Sequence, residues 1–139
     1  MTHASRRMAG ILLVVFPTVI FGGVSLLRML IIGDEGYVDN PIRQDLWRAG
    51  HAHAGVLLVL SLVVLRYVDE ATLSERAKEF VRVSVPVAAI LLPVAFFLSI
   101  LSPDADEPNA LIYLAVVGAM VLVAGLVTLG VGMLRRSDA

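Results

Sequence analysis

Three ionisable side chains stand out against an almost wholly apolar background: Arg28, His51 and His53. Each lies inside or at the edge of a long hydrophobic run. There an ionised group costs several kcal/mol at a bilayer centre and less near its interface, so each is a candidate for function. An imidazole in that setting suits axial ligation of haem, coordination of copper or zinc with partners from another helix, or a pH-sensitive hydrogen bond. His51 and His53 are two positions apart, which on a helix turns them about 200° from each other, so one regular turn cannot chelate a single metal through both. His51 shares a face with Trp47, Arg48 and Gly55, and His53 with Ala49, Gly50 and Leu57. The bland alternative is that the imidazoles bond loop carbonyls or carboxylates such as Asp45 or Asp104. Arg28 either snorkels to the surface or pairs with Asp34, Asp104 or a bound anion such as a haem propionate or a lipid phosphate. The candidate cofactor-binding set is therefore His51, His53, Arg28 and Arg48, with the two histidines as candidate metal ligands. The cofactor implied is haem or a transition metal.

The elements that must position these residues are four apolar runs, at about 9–32, 49–65, 83–101 and 110–134. Each is near the length a helix needs to cross about 30 Å of hydrocarbon at about 1.5 Å per residue. Unbroken runs without strand-like alternation leave helices as the way to satisfy the backbone in lipid. With 58% of 139 residues hydrophobic, the expectation is all-α, an integral membrane four-helix bundle forming a single domain over 1–139. The first run is longer than a signal-peptide core and is not closed by a small-x-small site, so it reads as an uncleaved span.

Charge orients the bundle. Eight of the eleven Lys and Arg residues lie at Arg6, Arg7, Arg66, Arg76, Lys78, Arg82, Arg135 and Arg136. All eight are on one side of a four-span chain. Basic residues at span ends are retained in the cytoplasm, so both termini and the middle loop are expected there. The other two loops hold seven of the twelve acidic residues and face outward. The expected location is multi-pass in a prokaryotic cell membrane. The net charge of −1 gives no reason to expect nucleic acid as a partner. With no cysteine, disulfides, thiolate metal sites and cysteine nucleophiles are excluded.

Local signals fill in the frame. Pro17 and Gly22-Gly23 predict a bend in the first helix. Asn40 or Asp45 is a candidate cap for a helix that begins ahead of the second span, and Ser74 for one that begins ahead of the third. Tyr37, Trp47 and Tyr113 read as interface anchors. Gly118, Gly125 and Gly132 recur every seven residues, either as a packing seam within one subunit or as an interface between subunits. Homo-oligomers or a larger membrane complex are the expected assemblies, in contact with lipid. No phosphate loop, nucleophile elbow or paired catalytic carboxylate is visible, so the chain does not read as an enzyme.

Over Arg48-Ala49-Gly50-His51-Ala52-His53-Ala54-Gly55 the chain resembles the second transmembrane helix of catalytic subunits of the haem-copper oxidase and nitric oxide reductase superfamily. That resemblance implies an axial histidine for a low-spin haem near the outer end of the helix. It covers one helix, and no histidine follows His53, so a second axial ligand would come from another subunit, from the other histidine of a neighbour, or be absent. The expected function is haem or metal binding in an accessory electron-transfer role. The alternatives are a small channel or transporter subunit, or a structural subunit of a larger complex.

Overall fold

A computed structural model describes residues 1–135; Arg136, one of the basic residues used to orient the chain, lies outside the described residues. The described chain is all-helical. Helix α1 spans His3–Ile32 and opens at Thr2, whose side-chain oxygen accepts from the Ser5 N–H at 3.3 Å. It closes at Gly33, which takes the left-handed φ of 67° and returns its N–H to the Met29 carbonyl. Glycine reaches that conformation without a Cβ penalty. A short α2 (Glu35–Val38) follows. Helix α3 (Pro41–Tyr67) starts at Asn40, whose Oδ1 accepts from the Arg43 N–H at 2.9 Å, with Pro41 in the first turn where a missing donor is harmless. Ser74 caps α4 (Glu75–Leu98), and a 3-10 turn at Ala110–Ile112 leads into α5 (Tyr113–Leu134).

Four helices are long and apolar enough to cross a membrane. Three start earlier than the apolar runs suggest, α1 at His3, α3 at Pro41 and α4 at Glu75, because their caps lie in polar sequence ahead of the runs. The α4 helix stops at Leu98, ahead of the expected residue 101. No break interrupts α1 at Pro17.

The helices pack in chain order, α1 on α3, α3 on α4 and α4 on α5, whereas α1 and α5 do not pack on each other. This makes an open array centred on α4. Of each helix's most apolar stretch, 56% is buried in α4, 11% in α5 and 6% in α1. Val64, Val68, Val81, Val85 and Leu129 knit α3, α4 and α5 together, Leu57, Ala88 and Leu92 continue the α3–α4 seam, and Leu12, Leu58 and Leu65 join α1 to α3.

The glycine stripe of α5 is spent inside the chain. A Cβ at Gly118 would lie 2.4 Å from Leu92 Cδ1, at Gly125 2.0 Å from Ser84 Oγ, and at Gly132 2.4 Å from Leu73 Cγ. The stripe therefore lets α5 close onto α4 and the 69–74 loop, which is the seam reading and not an intersubunit one.

A buried ion pair ties the N-terminus to the α3–α4 loop. Asp69 Oδ1 accepts from Arg82 Nη2 at 2.9 Å and from Ser5 Oγ at 2.9 Å, and its Oδ2 accepts from the Thr2 N–H at 2.6 Å. Arg82 also donates to Ser5 Oγ at 3.1 Å and Glu79 Oε2 at 3.2 Å. Burial pushes the Asp69 carboxyl up, but the Thr2 N–H, the Arg82 guanidinium and the two hydroxyls outweigh it and hold the group at about 2 against an ordinary 3.8.

Candidate functional site

The two histidines face opposite sides of α3. His53 turns toward α4: its Nδ1 is 2.7 Å from the Ala49 carbonyl and its ring is 5.1 Å from that of Phe96. A carbonyl only accepts, so this bond puts the proton on Nδ1. His53 is thus satisfied by its own helix and packed on an aromatic neighbour.

His51 turns toward α1, where Gly22 and Gly23 make room for it. A Cβ at Gly23 would stand 2.8 Å from both Cε1 and Nε2 of the imidazole, and one at Gly22 3.9 Å from Nδ1. The paired glycines are a notch for the ring. Among the described residues, neither nitrogen of His51 has a hydrogen-bond partner, and neither histidine bonds Asp45 or Asp104. His51 also borders an open groove of about 690 Å³ between α1 and α3, walled by Phe16, Val19, Ile20 and Leu27 on one side and Ala52, Gly55 and Val59 on the other. Its volume falls within the range of small-molecule sites.

Arg48 and Arg28 are both exposed. Arg48 precedes His51 by three and Ala52 by four positions, which puts it on the same stripe of α3, one turn nearer the start of the helix. It donates to Gln44 Oε1 at 2.8 Å. Arg28 follows the groove residue Val24 by one turn of α1. Of the four candidate residues His51 lines the groove, Arg48 and Arg28 lie one turn beyond lining residues of α3 and α1, and His53 is not among the lining residues.

Arg43 carries a role the sequence did not reveal. Its guanidinium is buried and donates through Nε to the Ile100 carbonyl at 3.1 Å, through Nη1 to Gly36 at 2.7 Å, and through Nη2 to Leu101. It also lies 4.5 Å from the centre of the Trp47 ring, and Trp47 Nε1 donates to the Phe97 carbonyl at 3.2 Å. Tyr37 stacks on the other side of this assembly and is 2% exposed, which removes it from the interface anchors; Tyr113 is exposed. The readable signal was the Arg-x-x-x-Trp spacing, which puts both side chains on one face of α3. Asn40 completes the clamp by donating to the Pro103 and Ala105 carbonyls at 2.9 and 3.0 Å. The clamp holds the start of α3 against both neighbouring loops.

Among the described residues, no three His, Asp or Glu side chains converge as a metal site. A bare ion would therefore lack ligands here. A haem asks less of the protein: one imidazole, apolar walls and cations at its acidic edge. His51, the groove walls and Arg48 with Arg28 meet that description, with one condition. The imidazole must turn out of the Gly22–Gly23 notch to present Nε2 to the groove. No protein-family model matches the chain, and no curated protein and no solved structure matches it.

Proposed function

We propose that this is a multi-pass membrane protein, with both termini cytoplasmic, that binds haem in the α1–α3 groove through His51 and serves electron transfer as an accessory subunit. Membrane residence is supported by the apolar surface the array leaves uncovered, including Val14, Phe21, Ile31 and Val56, which are all more than half exposed. In water such continuous surface would drive association. The orientation rests on Arg6, Arg7, Arg66, Arg76 and Arg135, which are exposed at the end of the array that carries the N-terminus and the 69–74 loop.

The observation that carries the haem reading is the unbonded His51 imidazole on the wall of an apolar groove. When bound, haem would supply one-electron redox chemistry. The chain's own residues do the rest. His51 ligates through Nε2, the groove walls exclude water, and Arg48 and Arg28 sit at the outward mouth to neutralise propionates. His53 is a structural residue in this account, held by Ala49 and Phe96.

The test is an optical spectrum of detergent-purified chain from cells supplied with haem precursor. A stoichiometric Soret band that is lost in His51→Ala and kept in His53→Ala is the expected result. A colourless wild-type protein overturns the reading and favours a channel or structural subunit. A band that survives His51→Ala overturns the residue assignment.

A further inference from the structure

A second groove, of about 420 Å³, runs between α1, α3 and α4 at the terminal end of the array. On α1 it is bounded by Met8, Ile11, Val15 and Val19, and on α4 by Val83 and Ile90. From Met8 to Val19 is about 16 Å along a helix at 1.5 Å per residue. That is about half the thickness of a hydrocarbon core, the depth of one leaflet.

Two arginines lie beyond the terminal end of this groove, outside its lining. Arg7 stands one turn below Ile11 on α1, and Arg76 two turns below Val83 on α4. Both are exposed, and among the described residues neither has a carboxylate partner. The nearby carboxylates are engaged: Glu79 pairs with Arg82 at 3.2 Å and Glu75 with Lys78 at 3.6 Å. An apolar channel one leaflet deep, with two exposed guanidinium groups one to two turns beyond its end, matches a phospholipid with a negatively charged head.

We propose that this groove seats an acyl chain of an anionic phospholipid from the cytoplasmic leaflet, with the phosphate at Arg7 and Arg76. The proposal rests on the membrane orientation given above and not on haem. Arg7 and Arg76 supply charge, and the walls from Met8 to Ile90 supply the contact that a free phosphate would not use.

The full chain is reconstituted in vesicles of phosphatidylcholine alone or mixed equally with phosphatidylglycerol. The readouts are its thermal midpoint and the lipid retained after extraction into detergent. The expected result is a higher midpoint and selective retention of phosphatidylglycerol, weakened by about fivefold for each arginine removed in Arg7→Gln and Arg76→Gln. Ile90→Trp fills the far end of the groove and should cut retention with both arginines intact. Arg135→Gln, an exposed cation outside the groove, should leave it unchanged. Equal behaviour in the two vesicle types overturns the site, as does an Arg135→Gln effect as large as that of Arg7→Gln. Inorganic phosphate reproducing the effect in phosphatidylcholine overturns the acyl-chain role. The two readings fail separately, because a missing Soret band leaves the lipid preference standing.

Discussion

Replacing Asp69 with Asn tests how the N-terminus is held. The carboxylate has a folded pKa of about 2 against an ordinary 3.8. At 1.36 kcal/mol per unit this is about 2 kcal/mol, reduced to about 1 by screening at the polar end of the array. The substitution also leaves Arg82, whose side chain is 6% exposed, with Glu79 as its remaining acid partner. Stripping a partner from a fully buried pair costs about 3–5 kcal/mol. Because Glu79 and Ser5 still accept from Arg82, we expect a total of about 2–3 kcal/mol for Asp69→Asn. The pH dependence has a definite sign. A depressed folded pKa stabilises above the unfolded value, so the contribution is complete at neutral pH and is lost as pH falls from about 4 to about 2. Equilibrium unfolding in detergent, followed by near-UV circular dichroism at pH 7 and across that acid range, measures both effects. Wild type should lose stability relative to the variant over the acid window. A variant within about 0.5 kcal/mol of wild type at pH 7, with a parallel acid profile, would falsify the account of the pair.

Three further substitutions probe the other contacts. Gly125→Ala places a Cβ 2.0 Å from Ser84 Oγ and 2.8 Å from its Cβ. It should destabilise by about 1–3 kcal/mol in the same unfolding assay, with recovery on adding Ser84→Gly. Gly23→Ala sets a methyl 2.8 Å from the His51 ring. In the haem reading the imidazole leaves this notch to ligate, so closing the notch should keep or raise haem occupancy, and a lost Soret band would count against that rotation. Arg43→Met leaves the carbonyls of Gly36, Ile100 and Leu101 without their donor. It should cost about 3 kcal/mol and speed proteolysis of the 99–109 loop, and a protease-resistant variant of normal stability would contradict the clamp.

Hydropathy and charge made much of this legible. Four apolar runs became four long helices, and Asn40 and Ser74 became caps because short polar side chains facing free N–H groups are a local matter. The opposed directions of His51 and His53 also follow from helical geometry alone. Partner choice was not legible. That Gly22-Gly23 make room for a ring on α3 depends on which helix lies opposite. The same holds for Arg43, two of whose three acceptors are backbone carbonyls 57 and 58 residues away that look like any others in sequence. The heptad glycines fitted two readings until Leu73, Ser84 and Leu92 were found against them. Asp69 and Arg82 looked like ordinary loop charges because burial comes from the docking of α1 across both.

The chain-order packing also bears on how the molecule is built. Contacts between successive helices have short loops to close, so each hairpin has its partner as soon as the next helix has been synthesised. The N-terminal ion pair needs no residue beyond Arg82 and so no part of α5. The register of α1 against α3 is therefore set without the last helix. Docking of α5 onto α4 then adds an outer layer to an assembly whose first three long helices are already tied. A released chain truncated after α4 should be as resistant to protease from Thr2 to Asp69 as the full protein, and Asp69→Asn should remove that resistance.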